Sequence, residues 1–137
     1  MYEYKVLEVC KVVDGDTVDV VLDLGFSLRL KQRIRLAELD APEIFSKDPV
    51  ERKIGFAVKE YVEDWLQANA ANLTVRTVKG DKYGHMLGHF VSGGGSELNQ
   101  ILLDLHYVWA YDGGTKSKDL VKLSGWSSLL SDLSKEA

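Results

Sequence analysis

The sequence predicts a mainly β fold of the α+β class, with five short strands closed into a Greek-key barrel and about three helices inserted between them. Three observations carry this expectation. Five runs rich in Val, Ile, Thr and aromatic residues are separated by Gly, Asp and Pro. Three longer windows repeat apolar residues every three or four positions, which is helical spacing. No internal repeat or change of composition divides the 137 residues, and 45% hydrophobic content suffices for one core, so residues 1–137 are expected to form a single domain.

Tyr4 to Val13 reads as the first strand and ends at Asp14-Gly15, a strong hairpin signal. Thr17 to Leu24 returns as the second, and Gly25 turns the chain into a third from Ser27 to Ala37. In that strand Leu28, Leu30, Ile34 and Leu36 share one side, while Arg29, Lys31, Arg33 and Arg35 share the other. For Arg29, Lys31 and Arg33 a solvated outer face is explanation enough. Glu38 to Pro49 is a polar connection holding both prolines. From Val50 to about Ala70, the residues Ile54, Val58, Tyr61, Val62, Trp65 and Leu66 recur as a helical core stripe. Leu73 to Val78 is a fourth strand, Lys79 to Gly84 a turn-rich loop, and His85 to Val91 a fifth strand. Ser96, as a cap, opens a second helix to about Leu105, and His106 to Ala110 is a short extended piece. Lys116 to Ser134 reads as a last amphipathic helix through Leu120, Leu123, Trp126, Leu130 and Leu133, interrupted by Gly125. Cys10, within the first strand, is expected to be a small buried apolar residue. Strands and helices in this order fit a barrel of the OB type, a fold whose face binds nucleic acid in many proteins.

Charge and composition exclude several classes. A net charge of −4 argues against a general nucleic-acid coat protein, which would be basic, but leaves room for a local basic site. No run approaches the roughly 18 apolar residues of a membrane span. Met1 to Lys5 lacks the basic-then-apolar pattern of a signal peptide, and one cysteine allows no internal disulfide. The expectation is a monomer with no membrane partner, either cytoplasmic or encoded by a phage or plasmid.

Carboxylates gather where strands and turns have little use for them. Alternation places Asp16 on the side of Val18, Val20 and Leu22, the rim of an apolar face, which is costly unless a positive group sits opposite. Asp40-Ala41-Pro42-Glu43 adds two more acids just after the strand that presents Arg35. Several acids around one arginine suggest a hard cation held by oxygen ligands, next to a phosphate clamp. An EF-hand starting at Asp14 fails, because its last position would be Gly25, where a bidentate Glu is required. Zinc is not expected, since His85 and His89 on one strand would stand about 13 Å apart.

Together with Asp81-Lys82-Tyr83-Gly84-His85, these stretches resemble the staphylococcal (micrococcal) nuclease family, from about Val9 to about Tyr111. That family carries an Asp-Gly-Asp-Thr hairpin, here Asp14 to Thr17. It has an arginine five residues before Asp-x-Pro-Glu, here Arg35 before Asp40 to Glu43, and then an Asp-Lys-Tyr-Gly-Arg segment. Three motifs in one order make the resemblance specific. It implies a calcium-dependent phosphodiesterase acting on DNA and RNA. By the same resemblance Asp16, Asp40 and the Ala41 carbonyl would ligate Ca2+, with Asp14 and Glu43 acting through bound waters. Arg35 would grip the scissile phosphate, and Glu43 would be the general base or orient the attacking water. Lys82 and Tyr83 would hold a second phosphate, and Tyr111, or Trp109, would stack a base. One position departs from the pattern. His85 stands where the family has a second phosphate-clamping arginine, and an imidazole is only partly charged at neutral pH. Two readings follow: a weaker, pH-dependent clamp in a slower enzyme, or a nucleic-acid-binding module that has lost the reaction, as in the nuclease-like repeats of Tudor-staphylococcal-nuclease proteins. A barrel that binds a protein or an oligosaccharide has no feature in its favour beyond the fold itself.

Overall fold

A computed structural model describes residues 2–78 and 86–111. In chain order these form β1 (Tyr2–Asp14), β2 (Thr17–Gly25), β3 (Leu28–Leu36), β4 (Leu39–Asp40), α1 (Pro49–Ala68), a 3-10 turn (Ala70–Asn72), β5 (Thr74–Val78), β6 (Met86–Val91), α2 (Leu98–Asp104) and β7 (Trp109–Ala110). Five strands close a barrel in the order β1-β2-β3-β6-β5, with β5 pairing back onto β1. All pairings in it are antiparallel except β3 with β6. The expected mainly β, α+β barrel is therefore present. Two α-helices occur among the described residues, and the third one expected, Lys116 to Ser134, lies outside them.

Closure depends on β1, which must pair with β2 along most of its length and with β5 at its start. Three register shifts, between Val6 and Glu8, Val9 and Lys11, and Val12 and Asp14, bend the strand enough to do so. Each shift also resets which side chains face inward. Val6 and Val12 are core, but Cys10 is exposed, correcting the expectation that it would be buried. Plain alternation fails wherever one strand carries an extra residue.

The core joins Val18, Val20 and Leu22 of β2, Ile34 and Leu36 of β3, Val75 and Phe90 to the stripe Ile54, Val58, Val62 and Leu66 of α1. Asp48 starts α1 by accepting the Val50 N–H at 2.9 Å, and Pro49 takes the first turn, where its missing N–H costs nothing. Asn99 ties α2 to the parallel strands. Its buried amide donates to the carbonyls of Ala37 and Gly88 at 3.1 and 3.0 Å and accepts the Phe90 N–H at 3.3 Å. Ser96 is not the cap of α2. Glu97 occupies that place without a side-chain bond, and Ser96 instead closes a turn with Ser92.

Two further expectations change. Leu28 and Leu30 share a side with Ile34 and Leu36 yet are exposed; among the described residues β6 pairs with β3 only from Ile34 to Leu36, which leaves the earlier part of β3 an edge. At its tip Phe26 and Ser27 adopt φ of 53° and 63°, the geometry of a tight primed turn, and Phe26 is 98% exposed. The polar connection after β3 is not irregular throughout: Leu39 and Asp40 pair with Ala110 and Trp109. None of the described helices is long and apolar enough to cross a membrane.

Candidate active site

Where β2 begins and β3 ends, the hairpin register sets Thr17 opposite Arg35. The Asp16 carbonyl accepts the Leu36 N–H at 2.8 Å, which fixes the backbone just before β2 against the end of β3. The Asp16 side chain is buried, as its alternation with Val18, Val20 and Leu22 requires. One of its oxygens accepts the Ala41 N–H at 3.0 Å and the other the Thr17 hydroxyl at 2.9 Å. Asp14 folds back to accept the Asp16 N–H at 3.1 Å. Arg35 Nη2 lies 3.3 Å from Asp40 Oδ1 and 3.8 Å from Asp16 Oδ2, so one nitrogen stands beside two buried carboxylates.

Glycine at position 15 has a packing reason rather than a conformational one. A Cβ there would lie 2.8 Å from Val58 Cγ1 and 3.0 Å from the Ala41 Cβ, and its φ is not in the left-handed region. Helix α1 thus presses on both halves of the site. One turn earlier, a Cβ on Gly55 would meet the Pro42 carbonyl oxygen at 2.8 Å and the Glu43 carbonyl carbon at 2.9 Å. One turn before that, buried Glu51 accepts the Glu43 N–H at 3.0 Å. Residues 51, 55 and 58 share a helix face and cradle Ala41 to Glu43. The Glu43 backbone is held in this way while the residue remains exposed. Sequence reasoning passed over Glu51 and Gly55. The available signals were a glutamate at the third helical position and a glycine inside a helix, which reports close packing.

The β4–β7 pair brings the far end of the described chain to this place. Trp109 pairs with Asp40, and the Tyr111 N–H donates to the Glu38 carbonyl at 2.9 Å. The Tyr111 ring has the Arg35 guanidinium 5.8 Å from its centre. Trp109 belongs to the core and is 6% exposed, so of the two aromatic residues weighed for base stacking only Tyr111 has an accessible face. Lys82, Tyr83 and His85 lie outside the described residues.

Electrostatics couple Asp14 to Asp16. Burial, then the neighbouring Asp16 carboxylate, push the Asp14 carboxyl up to about 7. Burial pushes Asp16 the same way but is outweighed by hydrogen bonds from Asp14 and the Ala41 N–H, by the Arg35 charge and by Thr17, which together hold it below the usual carboxylate range. Among the described residues no three His, Cys, Asp or Glu side chains converge as a cage, and the buried carboxylates beside Arg35 are those of Asp16 and Asp40.

A family model for staphylococcal nuclease homologues matches residues 33–124, which takes in Arg35, Asp40 and Glu43 and starts beyond Asp16. An uncharacterised endonuclease of Escherichia coli O157:H7 is 32% identical over 106 residues, which cover 76% of this chain and 60% of that protein. A micrococcal nuclease of Shigella flexneri is 30% identical over 112 residues, covering 76% and 57%. The chain spans about three-fifths of the length of these curated relatives. A closed five-stranded barrel and the family match over residues 33–124 lead to one conclusion: this chain belongs to the staphylococcal nuclease family.

Proposed function

We propose that the protein is a nuclease, a calcium-dependent phosphodiesterase that hydrolyses DNA and RNA by in-line attack of water on phosphorus. The observation that carries this reading is Arg35, a guanidinium beside two buried carboxylates at the start of one strand and the end of another. An arginine fork matches two oxygens of a phosphate, and here it serves to neutralise charge on the group under attack. Glu43 takes the proton from the attacking water or orients it, with its backbone held by Glu51 and Gly55. Tyr111 offers a ring for a base, while Lys82 and Tyr83 hold a second phosphate and His85 assists Arg35 when protonated.

The residues fit a hard cation. Asp16 and Asp40 bring two buried carboxyl groups to one arginine, and Asp14 lies beside them on the Asp16 N–H. Asp16, Asp40 and the Ala41 carbonyl would hold Ca2+, with Asp14 and Glu43 acting through water, a donor set of oxygens alone. Bound there, the ion supplies positive charge for the phosphoryl oxygen as the transition state forms. A second reading, a binding module without the reaction, is favoured only by His85 in place of arginine.

Incubation of the purified protein with single-stranded DNA or RNA and Ca2+, with a chelator control and Arg35→Ala alongside, tests the proposal. Cleavage abolished by the chelator and reduced at least ~10³-fold by Arg35→Ala is the expected result. No cleavage at any pH, with nucleotide binding retained, would establish the binding module instead. Under the enzymatic reading, His85→Arg raises the calcium-dependent rate.

A further inference from the structure

A row of cations on β3 ends at Arg35. The pairing of β3 with β2 runs without a bulge from Arg29 opposite Asp23 to Arg35 opposite Thr17. Strict alternation therefore holds along this length. It turns Arg29, Lys31, Arg33 and Arg35 to one face, away from buried Val18, Val20, Leu22 and Ile34. Asp19 reports the same placement: a hydrogen bond from Arg33 at 2.8 Å, and then charges that include Lys31, hold its carboxyl below the usual range. Neighbouring members of the row stand about 6.6 Å apart, close to the separation of successive phosphates in an extended nucleic-acid strand.

A solvated face accounts for the exposure of this row, but not for its sign or its direction. The chain as a whole has a net charge of −4, yet this side of the sheet is positive. Leaving Asp14 and Arg35 to the site, the strand registers bring five cations (Lys5, Lys11, Arg29, Lys31 and Arg33) against three acids (Glu8, Asp19 and Asp23). One row further, Glu3 is opposed by Arg76 of β5. Two of the three acids are engaged: Arg33 closes on Asp19, and Asp23 accepts the Gly25 N–H at 2.8 Å. Among the described residues Arg29 and Lys31 are exposed and close no ion pair. A positive row that leads to a phosphate-handling centre matches a polyanion with regularly spaced charges.

We propose that Arg29 and Lys31 bind backbone phosphates of a single-stranded nucleic acid and lead it along the outer face of β3 to Arg35. This rests on the nuclease reading above and concerns phosphates remote from the bond under attack. Arg33, closed on Asp19, keeps that acid from repelling the strand. Phosphate contacts carry no base information, so the track adds affinity for longer strands rather than sequence preference.

The test compares wild type with Arg29→Gln, Lys31→Gln and Lys31→Arg in Ca2+, at salt from about 50 to about 200 mM. One substrate is a thymidine oligonucleotide of about eight residues, and the other is the dinucleotide, which is too short to reach the track. Lys59→Gln on α1 changes the net charge equally outside this face and serves as control. Each β3 Gln variant is expected to raise the KM for the long strand by ~5-fold at low salt and to leave the dinucleotide KM unchanged. Each should also lower the slope of log KM against log salt by ~0.7, and Lys31→Arg should keep wild-type values. An unchanged slope overturns the track. Equal losses on both substrates, which would mark a structural role, overturn it too, as does a loss matched by Lys59→Gln. If wild type cleaves neither substrate, the nuclease reading fails separately. Binding of the labelled long strand, followed by fluorescence anisotropy, then decides: a slope lowered by ~0.7 per substitution supports the track, and an unchanged slope or no wild-type binding refutes it.

Discussion

Arg33 and Arg35 stand two residues apart on one side of β3 and make opposite kinds of pair. Arg33 closes a fork on Asp19, with Nε at 2.8 Å and Nη2 at 3.1 Å, yet its side chain is 55% exposed. Among the described residues, Arg35 meets carboxylates at 3.3 and 3.8 Å through a single nitrogen, and its side chain is 18% exposed. Judged by bond length alone, Arg33 would be the important residue. In water such an exposed pair contributes only about 0–1 kcal/mol, whereas Arg35 stands largely covered beside two buried carboxylates. The exposed closed pair belongs to the fold, and under the proposed function the covered arginine between two buried carboxylates is the one that meets the phosphate.

That contrast breaks most visibly in activity. Arg35→Lys, which keeps the charge and loses the planar fork, is expected to lower kcat on single-stranded DNA by at least ~100-fold, and Arg33→Lys to stay within about 2-fold. Steady-state kinetics on the two variants measure it, and equal losses would refute the distinction.

A smaller effect appears in the pH dependence of stability, where Asp14, next to Arg35's partner Asp16, is raised while Arg33's partner Asp19 is lowered. Asp14 is raised from 3.8 to about 7, so between those values the folded chain keeps a proton that the unfolded chain has released. Its contribution to stability is present below about pH 4 and lost as pH rises through about 7. Asp14→Asn mimics the protonated form. In chelator its melting temperature should exceed that of wild type by a margin that grows from near zero below about pH 4 to about 5 °C near pH 8, after allowance for solvent around a half-buried group. Saturating Ca2+ should remove the gain. A margin independent of pH would show that Asp14 is not held protonated.

The least effect is expected at the hairpin's outer face. Arg33, by hydrogen bond and charge, holds Asp19 below the usual carboxylate range. Its contribution is present above the unfolded value and lost as pH falls through the lowered one. A double-mutant cycle of Asp19→Asn and Arg33→Gln by urea unfolding at neutral pH should give a coupling of about 0–1 kcal/mol that shrinks in high salt. A coupling several times larger would mean that exposure is a poor guide here.

The centre of the site was legible because its residues occupy two short stretches whose chemistry contradicts their local structure. Asp16 among valines and Asp40-Ala41-Pro42-Glu43 behind an arginine strand need no tertiary knowledge to look misplaced. What was illegible depended on distant partners. Glu51 resembles an ordinary helix-start glutamate until its carboxylate is found on the Glu43 N–H. Cys10 follows the wrong phase because bulges in β1 are visible only against β2. Leu28 and Leu30 match a core pattern, but they precede the part of β3 that pairs with β6.

The two-residue β4–β7 pair has a consequence for biosynthesis. Every acid of the site, and Arg35, has been synthesised by the time Glu51 has been added. The strand that carries Asp40, however, is paired to Trp109 and Ala110, which are made near the end of the described chain. A nascent chain can therefore display all of these groups without the frame that aligns them.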